Sequence, residues 1–296
     1  MQFQWYPGHM TKAKRAMQED IKLVDLVIEL VDARVPLASR NPDIDELGRN
    51  KARLVVMNKA DLADEQQNRQ WQEWFKAKGF HVVMMDSRSN TGKGAVLKVI
   101  ADACKEKTER DRKRGIMNRP VRAMVVGIPN VGKSTFINSI AGKACAKTGN
   151  KPGVTRGNQW IRLNKQVELL DTPGILWPKF EDQTVGLKLA MIGSIKDDII
   201  NSTDLALEMI GFLEEKYPEA LTKRYGVDGS SVDGETCIEN GGDQKKAHAA
   251  TVLGQIAKAR GCLKQGGEYD LDRMALLLVD DFRSGRLGRM SLEWTK

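Results

Sequence analysis

The chain has 296 residues, enough for one large domain or two of moderate size, and its formal net charge is +8. Hydrophobic residues make up 41% and charged residues 29%, as in a typical globular protein. No apolar run approaches the roughly 18 to 20 residues needed to span a bilayer, and the N-terminus lacks the apolar core of a signal peptide. We therefore expect a cytoplasmic protein without a membrane partner, and its positive charge is compatible with a polyanion.

The cysteines and the three histidines give no pattern typical of a metal site. The cysteines lie far apart, form no C-x-x-C pair and have no histidine at zinc-site spacing: Cys104, Cys145, Cys237 and Cys262. The sequence therefore argues against a structural zinc site or a disulfide framework.

The first third of the chain alternates short apolar runs with helical patterns. Strands are predicted over residues 26–31, 53–57 and 80–85. Helices are predicted over 64–78, where tryptophan and phenylalanine recur at helical spacing, and over 91–104. This alternation predicts a mainly parallel sheet covered by helices on both faces.

A charged run at residues 105–115 follows, which we interpret as a solvated helix end or linker rather than as a dedicated binding element. The α/β pattern then resumes with a strand over 121–126 and a helix over 133–141. Residues 159–163 and 167–170 resemble an antiparallel pair of strands. No internal repeat is present.

The last part of the chain is predicted to be helical. Apolar residues recur at helical spacing in four segments, residues 187–195, 203–217, 247–262 and 271–284. A Gly-, Ser- and acid-rich stretch at 225–243 predicts a long loop. We therefore expect an α/β domain over residues 1–178 and an all-helical domain over 179–296.

The strongest motif is Gly127-Ile-Pro-Asn-Val-Gly132-Lys133-Ser134, which matches the P-loop pattern G-x-x-x-x-G-K-[ST]. It follows a predicted strand and opens a predicted helix, whose N-terminus favours an anion. We expect Lys133 to neutralise the β- and γ-phosphates and the Ser134 hydroxyl to bind Mg²⁺. The predicted nucleotide-binding residues of this segment are Asn130, Val131, Gly132, Lys133, Ser134 and Thr135.

A second motif, Asn58-Lys59-Ala60-Asp61, matches N-K-x-D at the end of a predicted strand. The Asp61 carboxylate can accept hydrogen bonds from both N1–H and the N2 amino group of guanine, neither of which adenine offers. Together with the P-loop it favours GTP over ATP as the bound nucleotide. An ATP-dependent kinase or motor is disfavoured for the same reason.

A third motif, Asp171-Thr-Pro-Gly174, follows the predicted strand at 167–170. Asp171 is expected to hold Mg²⁺ through water, and the Gly174 N–H to meet the γ-phosphate. Thr155, in the loop between this motif and the P-loop, is expected to reach Mg²⁺ only with the γ-phosphate bound, as an order–disorder switch. Ser87 and Arg88 follow the third strand, where a contact to the guanine oxygen is expected.

These segments carry a family resemblance. GIPNVGKS, KPGVTR, DTPGILWPK and NKAD, together with the opening WYPGHMTKA, resemble the ribosome biogenesis GTPase A family of circularly permuted, translation-factor-class GTPases. The resemblance extends over nearly the whole chain and implies a permuted P-loop GTPase domain followed by a helical domain. Ordinary members of the superfamily place N-K-x-D last, whereas here it precedes the P-loop; neighbouring domain termini make such a permutation feasible.

The resemblance also implies how hydrolysis is achieved. Ile175 follows Gly174, where many relatives have a glutamine that orients water, so intrinsic hydrolysis should be slow. Asn130 matches the asparagine that binds an activating K⁺ in related GTPases, although it also suits a simple role in the loop turn. His9 matches a histidine proposed to position water, although it also suits an RNA contact or an ordinary surface position. The expected catalytic residues are His9, Lys133, Thr155 and Gly174.

The resemblance implies, finally, a GTP-hydrolysing assembly factor that binds the immature large ribosomal subunit and its rRNA, with ribosomal proteins as further partners. Basic residues outweigh acids near the C-terminus and are the expected RNA contacts: Lys245, Lys246, Lys258, Arg260, Lys264, Arg273, Arg283, Arg286 and Arg289. We expect a monomer that uses GTP/GDP, Mg²⁺ and K⁺. The alternative is a GTP-dependent signalling switch that acts on a protein effector without the ribosome.

Overall fold

The computed structural model describes residues 15–116, 119–146, 158–177, 180, 182–229 and 244–295. Two of the predicted site residues, His9 and Thr155, lie outside the described residues, as does most of the predicted loop at 225–243. Within the described parts of the chain, no helix is long and apolar enough to cross a membrane.

The described residues form two compact units, Met1–Leu189 with Arg289–Lys296, and Ala190–Gly288. This division differs from the expected boundary near residue 178 in two ways. The first unit extends to Leu189, within the helix Gln183–Met191. It also includes the residues from Arg289 onward. The helical unit is therefore an insertion in the first unit, with one connection to it at each end.

The first unit contains a six-stranded sheet in the described residues, in the order β3-β2-β1-β4-β6-β5. β5 and β6 are antiparallel, and every other neighbouring pair is parallel. The predicted, mainly parallel α/β sheet is thereby confirmed. The strands are β1 (Leu26–Asp32), β2 (Ala52–Asn58), β3 (His81–Met85), β4 (Val121–Val126), β5 (Gln159–Arg162) and β6 (Val167–Asp171).

The apolar runs of the sequence form the central strands of the sheet. Their side chains are buried because helices cover both faces of the sheet. Every residue of β1 is buried, including its single acid before the strand end, Glu29. In the described residues, this unit includes the helices α1 (Asp43–Leu47), α2 (Glu65–Ala77), α3 (Lys93–Ala103), α4 (Lys105–Lys113), α5 (Lys133–Ala141) and α6 (Gln183–Met191), and residues 15–20 are also helical.

Helix α2 shows how the sequence pattern becomes packing. Its N-terminus is capped by the Asp64 side chain, which accepts a hydrogen bond from the Gln67 N–H at 2.9 Å. Trp71 and Phe75 are buried in a cluster with Val55 and Met57 of β2. The i, i+4 spacing therefore places one face of α2 against the sheet, as predicted.

The charged run forms a helix of its own, α4, without a buried residue. Lys107 pairs with Asp25, so the helix is tied to the start of β1. This agrees with a solvated helical connection that leads from α3 back to the strand β4, which carries the P-loop.

The second unit is helical in its described residues, as expected. Buried leucine, isoleucine and methionine side chains lie along one face of each long helix, such as Met209 and Leu213, or Met274 and Leu278. Its helices are α7 (Ser202–Lys216), α8 (Glu219–Tyr225), α9 (Gln244–Ala259) and α10 (Leu271–Arg283).

Candidate nucleotide-binding site

The motif residues follow the carboxyl ends of neighbouring parallel strands. Asp32 at the end of β1 pairs with Asn58 at the end of β2, and Asn58 pairs with Met85 at the end of β3. Asp171 ends β6 beside Val125 of β4, which leads into the P-loop. Because parallel strands share this edge, motifs that are distant in sequence lie together, where open α/β sheets bind ligands.

The P-loop has the backbone geometry that its glycines make possible. Gly132 has a φ of 95°, and a Cβ at this position would lie 2.5 Å from the Asn58 side-chain nitrogen. Both the left-handed backbone and the close approach therefore require glycine. Helix α5 begins at the next residue, Lys133, so the helix N-terminus faces the loop.

The Lys133 side chain reaches back to the start of the P-loop. Its side chain is buried, and its Nζ donates hydrogen bonds to the carbonyl oxygens of Gly127 and Ile128, each at 2.9 Å. Burial lowers the pKa of Lys133 to about 8, against the opposing effect of the Asp171 carboxylate. The loop thus holds one positive charge where phosphate oxygens can replace the carbonyl contacts.

Asp171 supplies the complementary negative charge. It is buried, and among the described residues its Oδ1 has no hydrogen-bond partner. Burial raises the pKa of Asp171 to about 6, although Lys133 acts in the opposite direction. A buried carboxylate oxygen of this kind suits a hard cation such as Mg²⁺, for which the sequence also predicts the Ser134 hydroxyl as a ligand.

The described residues contain no group of three or more His, Cys, Asp or Glu side chains that could hold a metal ion. Mg²⁺ commonly uses one or two protein ligands and completes its shell with phosphates and water. The donor set of a hydroxyl and a carboxylate therefore fits a magnesium ion that binds together with a nucleotide.

Gly174 lies directly against the P-loop. A Cβ at this position would be 2.8 Å from Lys133 Nζ and 2.9 Å from Pro129 Cα. The strand before it is anchored, since the Thr172 hydroxyl donates to the Val125 carbonyl at 2.7 Å. Ile175 is buried and offers no polar group to the site.

Asn58, the first residue of N-K-x-D, connects three segments of the site. Its Nδ2 donates to the Val131 carbonyl of the P-loop at 2.7 Å. Its Oδ1 accepts hydrogen bonds from the Ser87 N–H at 3.2 Å and from the Ser87 hydroxyl at 2.7 Å. Asn58 therefore fixes the P-loop and the loop after β3 to the end of β2.

Lys59 makes a second connection to the P-loop, and it does so with a positive φ of 57°. Its Nζ donates to the Asn130 carbonyl at 2.7 Å and lies 2.9 Å from Asp32 Oδ2. Arg34 holds the same Asp32 through Nε and Nη2, each at 2.9 Å. Burial favours protonation of Asp32, yet the Arg34 and Lys59 charges outweigh it and hold the pKa of Asp32 well below its usual range.

The buried pair Asp32–Arg34 was not predicted as part of the site. Its sequence signal is the position of Asp32 at the end of the first apolar run, next to two other strand ends that carry motif residues. Because the pair fixes Lys59, it supports the guanine motif and the P-loop at the same time.

Asp61 and Arg88 are exposed, whereas Ser87 is buried. Partial burial raises the pKa of Asp61, and the neighbouring Asp86 carboxylate adds to this effect. Asp86 also accepts a hydrogen bond from the Arg88 N–H at 2.9 Å. The predicted base-contacting residues therefore fall on two adjacent loops, after β2 and after β3.

A P-loop at the start of a helix, a buried carboxylate at the end of the neighbouring strand and N-K-x-D on the same sheet edge define a GTPase of the P-loop class. Residues 122–225 match the family model described as 50S ribosome-binding GTPase. The match begins at the strand that carries the P-loop.

The chain belongs to the ribosome biogenesis GTPase A family, as its relatives show. It is 48% identical to ribosome biogenesis GTPase A of Bacillus cereus, over 99% of this chain and 94% of that protein. It is 32% identical to the Thermotoga maritima protein of the same name, over 98% of this chain and 93% of the other. Mitochondrial ribosome-associated GTPase 1 of Xenopus tropicalis is 31% identical, over 98% and 94% respectively.

Solved structures agree with this assignment. The GNP-bound crystal structure of YlqF from T. maritima is 28% identical, covers 96% of this chain and 98% of its own, and has a TM-score of 0.62. The GDP-bound structure of the T. maritima protein gives a TM-score of 0.63.

Proposed function

We propose that this GTPase is an assembly factor that binds the immature large ribosomal subunit in its GTP state and leaves after hydrolysis. The observation that carries the proposal is similarity over almost the full chain to proteins named ribosome biogenesis GTPase A, which includes the helical unit as well as the nucleotide site. Such a protein works in the cytoplasm of a bacterium. We expect it to act as a monomer.

The hydrogen bonds of the site support the proposed roles of its residues. Asp61 accepts the guanine N–H groups, Ser87 and Arg88 flank the base, and Asn58 and Lys59 hold the two base loops to the P-loop. At the phosphate end, Lys133 exchanges its P-loop carbonyl partners for β- and γ-phosphate oxygens. The backbone N–H groups of Asn130 to Thr135 surround the phosphates. Charge-assisted hydrogen bonds of this type are the strong ones in nucleotide recognition.

We assign protein ligands to two metal ions, Mg²⁺ and K⁺. Ser134, Asp171 and Thr155 would hold Mg²⁺, which supplies positive charge to the phosphates as the bond to the γ-phosphate breaks. The carbonyl of Asn130 is bonded to Lys59, so we assign K⁺ to its side-chain oxygen. Both ions would add positive charge where negative charge develops.

Hydrolysis by the isolated protein should be slow. Ile175 is buried beside Gly174 and has no group that could polarise a water molecule. Gly174 contributes an N–H to the γ-phosphate, and we propose that His9 positions the water when a partner is bound. The loop around Thr155 and the segment after Gly174 would then respond to loss of the γ-phosphate and change the affinity for the partner.

The basic residues of the helical unit divide into two groups. Arg283 pairs with Asp197, and Arg286 pairs with Asp280 and Asp281, so these two arginines stabilise the unit itself. The exposed group that we assign to rRNA contacts is Lys245, Lys246, Lys258, Arg260, Lys264 and Arg273. Phosphate contacts of this kind should weaken steeply with salt.

One observation favours the alternative, a signalling switch with a protein effector. Leu276 and Leu277 are 54% and 42% exposed on α10, and adjacent exposed leucines are typical of protein-facing surfaces rather than RNA-facing ones.

The deciding experiment measures GTP turnover in potassium buffer with purified large or small ribosomal subunits. The proposal predicts strong stimulation by the large subunit alone, and loss of this stimulation in sodium buffer and in the His9→Ala variant. Lys258→Glu with Lys264→Glu should weaken large-subunit binding and leave turnover without subunits intact. The matched control is Lys223→Glu, an exposed lysine of the same unit outside the proposed RNA surface. Sound GTP binding without stimulation by either subunit would favour the protein effector.

A further inference from the structure

Residues Arg289 to Thr295 belong to the first unit, and we call them the C-terminal segment. Here Ser291 is fully buried, and Met290, Leu292 and Glu293 are also buried. The indole N–H of Trp71, on α2, donates to the Glu293 carbonyl at 3.2 Å. The C-terminal segment is therefore part of the folded first unit rather than a tail.

One set of its contacts is made to the loop that carries Asp61. The Met290 N–H donates to the Leu62 carbonyl at 2.9 Å. The Arg289 guanidinium donates to the Ala63 carbonyl at 2.8 Å and to the Ala60 carbonyl at 3.3 Å. Peptide groups on both sides of Asp61 are thus bonded to the C-terminal segment.

A second set of contacts is made to the loop after β1. The Leu292 N–H donates to the Arg34 carbonyl at 2.8 Å. The Glu293 carboxylate accepts hydrogen bonds from the Leu37 N–H at 2.7 Å and the Ala38 N–H at 3.1 Å, and it lies 3.2 Å from Lys188 Nζ. Arg34 is the residue that fixes Asp32, and Asp32 in turn fixes Lys59.

We propose that the C-terminal segment is a positioning element for guanine recognition. By bonding the peptide groups around Asp61 and the backbone of Arg34, it holds the N-K-x-D loop in the geometry that the base requires. Displacement of a binding group by about 1 Å is costly, and a preformed loop loses less conformational freedom when the ligand binds. The inference rests on the proposed role of Asp61 as the guanine acceptor.

The chain path gives this contact a further consequence. The C-terminal segment begins directly after Gly288, the last residue of the helical unit. The residues that follow the helical unit directly are therefore the same residues that bond to the guanine-recognition loop. In this chain N-K-x-D precedes the P-loop, and residues that follow the helical unit bond to its loop.

The test compares the affinities of Arg289→Ala and the wild type for GDP and for IDP. IDP lacks the 2-amino group from which Asp61 is proposed to accept a hydrogen bond. We expect about a tenfold loss of GDP affinity, a smaller loss for IDP, and a rise in KM for GTP without a matching fall in kcat. A tenfold loss corresponds to the removal of one or two hydrogen bonds. Glu293→Gln should show the same preference change with a smaller amplitude, and it provides a second route if Arg289→Ala does not fold.

Arg286→Ala is the matched control, because this nearby arginine forms its ion pairs within the helical unit and should leave the GDP-to-IDP ratio unchanged. A lower melting temperature with an unchanged ratio in both variants of the C-terminal segment would overturn the inference, since it would show a purely structural role.

Asp61→Asn separates the positioning role of the C-terminal segment from the proposed role of Asp61. If it lowers the preference for guanine while Arg289→Ala does not, only the positioning role fails. If it has no effect on the preference, the proposed role of Asp61 fails and the positioning role fails with it.

Discussion

The P-loop and the N-K-x-D loop, which we propose as the phosphate end and the base end of the nucleotide site, are built in different ways. At the phosphate end, Lys133 bonds to carbonyl groups five and six residues before it, within a single continuous motif. At the base end, the loop that carries Asp61 is bonded to Arg289, 226 residues away in sequence at the Ala63 contact. The phosphate end is thus defined locally, whereas the base end depends on tertiary contacts between distant parts of the chain.

The two ends are also joined to each other. Asn58 and Lys59 belong to the guanine motif by sequence, yet both donate hydrogen bonds to P-loop carbonyls, those of Val131 and Asn130. A substitution can therefore affect one end alone or both, depending on which bonds it removes. Three substitutions separate these cases, and a fourth tests the buried Asp171 carboxylate at the phosphate end.

Lys133→Met should produce the largest effect, restricted to the phosphate end. Methionine keeps most of the buried volume and removes the charge, and each lost charge-assisted hydrogen bond costs about 1.5–3 kcal/mol. We expect GTP affinity to fall at least about 100-fold, measured by titration with a fluorescent nucleotide. Lys143→Met, at an exposed lysine beyond the same helix, is the control. Residual binding should keep its preference for guanine over inosine; loss of that preference would show that the ends are not separable.

Asp171→Asn should change how stability depends on pH when Mg²⁺ is absent. The folded pKa of Asp171, about 6, lies above its ordinary value of 3.8. The protonated form is therefore favoured by folding, so the stability that Asp171 contributes is present below pH 3.8 and is lost as pH rises through about 6. Relative to Asp171→Asn, the wild type should lose about 2–3 kcal/mol of unfolding free energy between these values. Parallel stability curves from denaturant titrations at several pH values would contradict the assignment.

Asn58→Ala should weaken both ends. It removes the bond to the Val131 carbonyl and leaves the Ser87 donors without their acceptor. We expect about a tenfold loss of affinity for GDP and GTP alike, together with a reduced preference for guanine. The control is Asn164→Ala, which loses an asparagine that closes the turn before β6, at the opposite edge of the sheet. If the guanine preference stays at its wild-type value, Asn58 supports only the P-loop.

The same contrast explains what the sequence could predict. The strands, the P-loop and Asp171 at a strand end are local patterns, and the structure confirms the strands within a residue or two. By contrast, the ion pair between Lys59 and Asp32 and the bond between Ser87 and Asn58 depend on which strands become neighbours. A pattern along the chain does not encode that information.

The C-terminal segment shows the same limit more sharply. The excess of basic residues near the C-terminus places Arg289 among the predicted RNA contacts. The structure adds that its guanidinium bonds to the carbonyl groups of Ala60 and Ala63, a contact that no local pattern predicts. The predicted domain boundary near residue 178 rests on a composition that changes once along the chain, whereas the chain crosses between the two units twice.

Ser87→Ala should give the smallest effect, confined to the base end. The hydroxyl donates one hydrogen bond to Asn58 Oδ1, but the Ser87 N–H still donates to the same atom. One neutral hydrogen bond contributes about 0.5–1.5 kcal/mol, so guanine-nucleotide affinity should fall only about two- to tenfold. The exposed Ser89, whose hydroxyl bonds to Thr91, provides the control as Ser89→Ala. Calorimetric titration with GDP and turnover at saturating GTP separate binding from hydrolysis. A fall in turnover larger than the fall in affinity would mean that the loop after β3 influences the phosphate end through Asn58, which bonds to both Ser87 and the P-loop. The Ser87 hydroxyl would then stabilise both ends of the site.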